Sequence, residues 1–445
     1  MASNPHYPEL TEDERFPILT QRGRHLLHRL RQHANAPNWN WPNGEQLDQD
    51  GLECVTKFAQ SLAAFHHQAS SATHELDKPA WLENFVERCL REVPFYRQRC
   101  HASSTSQMSD FEALPTCRRA NLAPRVWEFV PDSQSLDQVI VFSSSGTTGY
   151  PTRTPHHPYS AACGVPLMEQ ALRAVCGIEL PRGADQVAIA NVAAYPGAYM
   201  TAIVVAYLQE AGCLRINLDR SAWRQPEDIT SYINAWHAPI WLGDPIAYGA
   251  MERLSIDYAP QAILSSIMHI TDAYAQQLSA RYGCPVLDLY AMTEAGIISV
   301  GTTHGHRILP HDLYVEILDQ HDQPCPAGIR GEVTLTGGRN PFLPLLRYRT
   351  GDFASLAHID GHRLLVGLEG RQPIEYPTTD GPIVHSMELT RLMRRYPVLR
   401  YELRSRGELD YQLEYVGDID HVALNRELVE LFGSSISLLK IERAN

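Results

Sequence analysis

Ser143-Ser144-Ser145-Gly146-Thr147-Thr148-Gly149 is the stretch of this chain whose residue types most plainly suit chemistry, and it follows the apolar run Val139-Ile140-Val141-Phe142. That order reads as a strand entering a loop built to grip an anion. Gly146 and Gly149 let backbone N–H groups turn toward a phosphate with no Cβ in the way, while Ser143, Ser144, Ser145 and Thr147 supply neutral hydroxyl donors. The loop holds no lysine, which excludes the GxxxxGK[ST] loop, whose lysine must reach the β- and γ-phosphates. A nucleotide enzyme is the functional reading; a Ser/Gly-rich turn or linker is the alternative that this segment alone leaves open.

Three later segments follow in order: Tyr290-Ala291-Met292-Thr293-Glu294, Arg347-Tyr348-Arg349-Thr350-Gly351-Asp352 and Gly370-Arg371. Together with the loop, this series resembles the AMP-forming adenylation superfamily of acyl- and aryl-CoA synthetases, and its wording is most similar to the phenylacetate–CoA ligase branch. Marks of that branch are Pro94-Phe95-Tyr96-Arg97 after a helix, the doubled serine before Gly146-Thr147-Thr148-Gly149, and the Arg-Tyr-Arg form of the aspartate motif. The resemblance covers about residues 80 to 440. It implies an α/β protein, with a large multi-subdomain N-terminal adenylate-forming domain and a small α+β C-terminal lid domain.

It also implies a reaction: an ATP- and Mg²⁺-dependent activation of a small aromatic carboxylic acid as an acyl-adenylate, with transfer to a thiol, either CoA or the pantetheine of an acyl carrier protein. Such chemistry brings two anions together, so the site needs a cation, donors to the leaving phosphates and a fixed nucleotide. Glu294 is the candidate Mg²⁺ ligand, since magnesium in phosphate sites takes one or two carboxylates beside phosphate oxygens. Thr293 is the candidate donor to the α-phosphate and Tyr290 the residue beside adenine. Asp352 is the candidate for the ribose hydroxyls, because one carboxylate can accept from both; Arg371 would reach the ribose or phosphates. Ser143 through Gly149, Thr148 included, are the expected phosphate cradle. Tyr195 and Tyr199, in Tyr195-Pro196-Gly197-Ala198-Tyr199, occupy the aromatic segment that lines the acid pocket in the family, with core packing as the competing role for Tyr199. Taken alone, Thr293-Glu294 could be a capped strand end and Thr350-Gly351-Asp352 an ordinary turn.

Composition bounds the rest. A chain of 445 residues with 44% hydrophobic and 20% charged residues is long enough for more than one core. Its net charge of −13 disfavours nonspecific nucleic-acid binding, and no basic run with interleaved aromatics is present. No apolar run is long enough for a membrane span, and the first thirty residues lack the pattern of a signal peptide, so a cytoplasmic location is expected. The nine cysteines are scattered without a CxxC pair, as expected for reduced thiols. Some enzymes of the branch carry a structural zinc near the Thr-Glu motif. Here that stretch is His304-Gly305-His306-Arg307 with no cysteine beside it, so His304, His306 and His311 are expected to be solvated loop histidines.

Helical spacing over 12–34 and 47–70, separated by Ala36-Pro37-Asn38-Trp39-Asn40-Trp41-Pro42, marks residues 1–78 as an N-terminal helical extension, expected to serve in packing or dimerisation. A homodimer is therefore among the expected partners. The adenylate-forming core then runs over 79–369, beginning with a helix at 80–92. Short apolar runs at 187–192, 213–217, 239–242, 263–268 and 285–289 predict strands, and 160–176, 199–211, 226–236 and 271–282 predict helices, which together suggest a largely parallel covered sheet. Residues 300–367 predict a small β subdomain. Residues 370–445 predict the lid, with strands near 401–405 and 410–415 and a helix near 418–432.

The lid departs from the family pattern. Gly370-Arg371-Gln372-Pro373 puts a stiffening proline at the hinge. Tyr150 stands where many relatives have lysine. The catalytic-lysine loop that should follow the last strand is not evident: Lys57, Lys78 and Lys440 are the three lysines, and Lys440 lies in the strand-like run Leu438-Leu439-Lys440-Ile441. A cation near phosphate is worth roughly 4 kcal/mol at an effective dielectric of about 20, about three orders of magnitude in rate. Two rival readings follow from that departure: adenylation with transfer to an amine or other non-thiol acceptor, and a catalytically impaired scaffold that binds a nucleotide or acyl ligand.

Overall fold

The structure is a computed structural model that describes residues 10–41, 43–69, 78–101, 108–143, 152–370, 374–379 and 383–441. The phosphate-loop residues Ser144, Ser145, Gly146, Thr147, Thr148 and Gly149, and Arg371 of the hinge, lie outside the described residues.

A 13-stranded sheet organises the chain. Its centre is parallel, with strands in the spatial order Ala211–Asn217, Val187–Ala193, Ile240–Gly243, Ala262–Ser265 and Val286–Met292. Such strands are covered on both faces, which is why they are apolar throughout rather than alternating: Ala262, Ile263 and Leu264 are all fully buried. One face is covered by the helix Gln21–Arg31, whose Leu26, Leu27 and Leu30 share a core with Trp241 and Tyr232. The helix Gly164–Cys176 covers the other, setting Leu167, Ala171 and Leu172 against Ile189, Leu264 and Leu287.

The elements differ from expectation in these places. Residues 199–211 do not form a helix: Thr201–Val205 is an edge strand antiparallel to Ala211–Asn217, linked by a turn in which Gln209 and Glu210 both take positive φ. The β-branched residues Thr201, Ile203, Val204 and Val205 favour the pleated surface, and burial on both sides erased the alternation that would have marked it. The strands at 300–367, expected as a small β subdomain, join the large sheet. Gly296–Thr302 pairs antiparallel with Val286–Met292, and the remaining strands continue the same sheet outward through His362–Glu369 and Leu345–Ile359. The helix expected over 12–34 is likewise broken, into Glu12–Arg15 and Gln21–Arg31.

The C-terminal residues form a three-stranded sheet, ordered Val398–Ser405, Tyr411–Gly417 and Ile436–Lys440. Leu413 of that sheet packs on Leu424, Leu428 and Phe432 of the helix His421–Phe432 in a core of its own. This unit docks at the start of the helix Asp272–Tyr282: Thr271 Oγ1 donates to the Tyr396 carbonyl at 2.9 Å and the Ala273 amide to the Arg394 carbonyl at 3.1 Å.

Candidate active site

The end of the strand Val286–Met292 positions most of the candidate residues. Its pleat points alternate side chains to opposite faces, and a tight connection through Thr293-Glu294-Ala295 returns the chain at Gly296, where φ of +72° suits glycine. Tyr290 donates its hydroxyl to Asp352 Oδ2 at 2.6 Å. Asp352 is held from its own side as well, since its amide donates to Thr350 Oγ1 at 3.0 Å and Thr350 Oγ1 donates to the Val333 carbonyl at 2.9 Å. Between them Gly351 takes φ of +86° and donates its amide to Glu332 Oε1 at 3.0 Å. Burial raises the Asp352 pKa; the Tyr290 bond opposes that shift and the charges of Glu332 and Glu294 reinforce it. A Cβ on Gly370 would lie 3.3 Å from Asp352 Oδ1, so the glycine before Arg371 allows the chain to pass close to that carboxylate.

Tyr290 and Asp352 line a cavity of about 300 Å³ together with Ile267, Met268, Gly370, Thr390 and Tyr401. The last two belong to the C-terminal unit, so that unit forms one wall. Ile267 has φ of +74°, a strained position for a β-branched residue, at the end of a loop that turns toward the cavity from the strand Ala262–Ser265.

Thr293 and Glu294 line a second cavity of about 650 Å³, with Tyr195, Tyr199, Phe142, His156, Arg215 and Asn340 on its walls. Ile267 borders both cavities. Glu294 is buried and accepts from the Tyr348 hydroxyl at 3.1 Å. Among the described residues no lysine, arginine or histidine forms an ion pair with Glu294. His156 is pushed down to about 4 by burial, against an opposing hydrogen bond with the Thr293 backbone, so a neutral imidazole sits beside Thr293 at neutral pH. Tyr195 stands half-exposed at the cavity wall, and Tyr199 is sandwiched between the Trp41 ring, 4.4 Å away, and the Arg215 guanidinium, 3.9 Å above it.

The structure thus brings Thr293 and Glu294 together with Tyr195 and Tyr199 at one cavity, and Tyr290 with Asp352 at the other. Ser143 is the last residue of the strand Ile140–Ser143 and pairs with Arg153, and Phe142 before it lines the larger cavity. The two arginines of the aspartate motif are structural: buried Arg347 donates to the carbonyls of Leu114 at 2.7 Å and Asp322 at 2.9 Å, and Arg349 pairs with Glu332 at 2.7 Å.

The chain is 24% identical over 303 residues to the phenylacetate-coenzyme A ligase of Aromatoleum evansii and 24% identical over 291 residues to that of Escherichia coli K12, covering 63% and 61% of this chain. The matched segment spans just under two thirds of those relatives' own length, 66% and 64%. A solved 2-hydroxyisobutyryl-CoA ligase in its postadenylation state superposes with a TM-score of 0.62 at 14% identity, over 84% of this chain and 92% of that one, which shows a common fold. The chain thus resembles phenylacetate-coenzyme A ligases in sequence and shares the fold of a solved acyl-CoA ligase. No family model matches it.

Within that fold, one cavity residue was missed by reading the motifs. Trp41, placed in the N-terminal extension as a packing element, stacks on Tyr199 and lies parallel to Phe142 at 6.3 Å. The extension also accepts a cavity-side amide, from Met200 to Asn40 Oδ1 at 2.6 Å. The cluster Trp39-Asn40-Trp41 was the signal that could have found it. The histidine expectation also needs correction. His306 is not solvated; it and His269 bracket Asp288 at 3.3 and 3.1 Å, and burial lowers the pKa of His311. Among the described residues no group of three or more His, Cys, Asp or Glu side chains is arranged to hold a metal ion. No described helix is long and apolar enough to cross a membrane.

Proposed function

We propose that this chain uses ATP to convert a small carboxylic acid into its acyl-adenylate and then passes the acyl group to a thiol, CoA or a carrier-protein pantetheine. The observation that supports the reading is the division of labour at one strand end: Tyr290 reaches Asp352 in a cavity of about 300 Å³, while Thr293 and Glu294 open into a neighbouring one of about 650 Å³. A nucleoside in the smaller cavity would present its ribose hydroxyls to Asp352, and the acid would lie in the larger, with the α-phosphate between them at Thr293. The acid's carboxylate oxygen forms a bond to the α-phosphorus and pyrophosphate leaves; the thiolate sulfur then bonds the acyl carbon and AMP leaves. Glu294 is the residue that fits a magnesium ion, being a buried carboxylate with an oxygen at the cavity and no cationic partner among the described residues; the ion would neutralise the polyphosphate when bound. His156, neutral beside Thr293, adds no charge to repel or trap the acid. The aromatic wall of Tyr195, Tyr199 and Phe142 supports an aromatic acid.

Acid-dependent exchange of labelled pyrophosphate into ATP tests the first half-reaction without knowledge of the acceptor. Exchange with at least one acid, abolished when magnesium is chelated, is expected; no exchange across a broad panel of aliphatic and aromatic acids by folded protein would refute the reading. Release of AMP on addition of CoA then tests the acceptor.

A further inference from the structure

The wall of the larger cavity carries a cation that the aromatic-acid reading leaves unused. Arg215 lies on the strand Ala211–Asn217, next to the edge of the sheet, and the register sets it directly between Thr201 on one neighbouring strand and Asn191 on the other. Register partners project to the same face, so the three side chains form a polar row across three strands in a sheet that is otherwise apolar there. Arg215 lines the cavity of Thr293 and Glu294, and with Thr201 and Asn191 it also lines an adjoining recess of about 210 Å³.

Two atoms of this row are buried without a hydrogen-bond partner among the described residues, Arg215 Nε and Thr201 Oγ1. A buried donor left unmade costs the full desolvation of that group, and buried cations are ordinarily paired. Here the guanidinium has a ring beneath it, Tyr199 at 3.9 Å, but no carboxylate forms an ion pair with it among the described residues. The acid nearest in the recess, Glu45, does not fill that role. Its Oε2 accepts from the Ala206 amide at 3.0 Å, and burial pushes its pKa up to about 7, so near neutral pH it is partly protonated. The row therefore holds a cation and a hydroxyl that no carboxylate pairs with among the described residues.

We infer that Arg215, with Thr201 beside it, is a specificity-determining group that binds a second carboxylate on the acid substrate, at the end remote from the carboxylate that is activated. The substrate class is a dicarboxylic acid with an apolar or aromatic middle: Tyr199 and Trp41 take the middle, and the planar guanidinium takes the distal carboxylate, whose geometry it matches in a two-bonded fork. This inference rests on the adenylation reading for which carboxylate reacts, but the subsite itself is a binding property and is measured apart from turnover.

The test compares phenylacetate with 4-carboxyphenylacetate, which differ by the distal carboxylate alone, on the full chain and on Arg215→Met and Arg215→Lys. Calorimetry gives the affinity of each acid, and pyrophosphate exchange gives kcat/KM for each; ATP binding by each variant shows that it is folded. The wild type should favour the dicarboxylate in both readouts. Arg215→Met should lower the dicarboxylate-to-monocarboxylate ratio on the order of 100-fold, the scale of truncating one member of a buried charge pair, and Arg215→Lys, which keeps the charge without the fork, should restore part of it. Preference for phenylacetate in the wild type, a ratio untouched by Arg215→Met in folded protein, or binding of neither acid would each overturn the inference. Dicarboxylate preference in binding with no exchange would uphold the subsite and refute adenylation; exchange without preference would do the reverse.

Discussion

Replacing Asp352 by alanine isolates ribose recognition. In the structure Tyr290 occupies one site of the Asp352 carboxylate through its 2.6 Å bond to Oδ2, which leaves most of the acceptor positions of the two oxygens for the hydroxyls of a nucleoside. Hydrogen bonds to a charged group are worth about 1.5–3 kcal/mol, so the variant should bind ATP roughly 10- to 150-fold more weakly. The wild type should discriminate between ATP and 2′,3′-dideoxy-ATP by a similar factor, and Asp352→Ala should lose that discrimination, closing a thermodynamic cycle on one contact. Stability should move the other way. Burial raises the folded-state pKa of Asp352, so the native state holds a proton that the unfolded chain releases, and the group costs stability progressively as pH rises from the unfolded carboxylate range through the folded value. Asp352→Asn should therefore unfold at a temperature equal to or above that of the wild type at pH 7 while showing the same loss of ribose discrimination. Calorimetric titration with both nucleotides and a thermal melt read both effects. Equal discrimination by wild type and a folded Asp352→Ala would refute the reasoning.

Glu294→Gln keeps the shape and the acceptor for Tyr348 but removes the charge, so exchange should fall and the magnesium titration should shift to higher concentration; an unchanged magnesium curve at wild-type rate would count against a ligand role. Lys440 lies on the strand Ile436–Lys440, 3.5 Å from Asp418, and lines neither cavity, so Lys440→Met should leave pyrophosphate exchange within a few-fold of wild type. A loss of two or more orders of magnitude without change in melting temperature would show that the lysine reaches the nucleotide. Burial alone would raise the Asp288 pKa, but the bonds from His269 and His306 outweigh it and bring it to about 2. Its stabilisation, about 2 kcal/mol by linkage, is present above the ordinary carboxylate pKa and is lost as pH falls toward about 2. Urea unfolding should accordingly show Asp288→Asn less stable than wild type at pH 6, with the gap closing in acid; a gap constant with pH would sink the hydrogen-bond account.

How much was legible in the sequence depended on whether a residue's role is local. The strand–turn sequence from Val286 to Gly296 carries its own instructions, an apolar run followed by Thr293 and Glu294 and a glycine that accepts positive φ, so Thr293 and Glu294 could be read before any partner was known. The same holds for Thr350-Gly351-Asp352, where the threonine hydroxyl and the glycine conformation hold the aspartate within three residues. Fold class followed from the rhythm of apolar runs and amphipathic stretches, because parallel strands buried on both faces cannot alternate. That same loss of alternation hid Thr201–Val205, which period alone could not tell from a helix. The pairing of Tyr290 with Asp352 spans 62 positions, and the row of Asn191, Thr201 and Arg215 exists only through the register of three strands, two of them adjacent in space but not in sequence. In the sequence Arg215 is one arginine among many. Its partly buried guanidinium, its lack of an anionic partner among the described residues and its place on the wall of the larger cavity are properties of the packed sheet, because only tertiary structure decides which charges lose their water and which of them the chain itself neutralises.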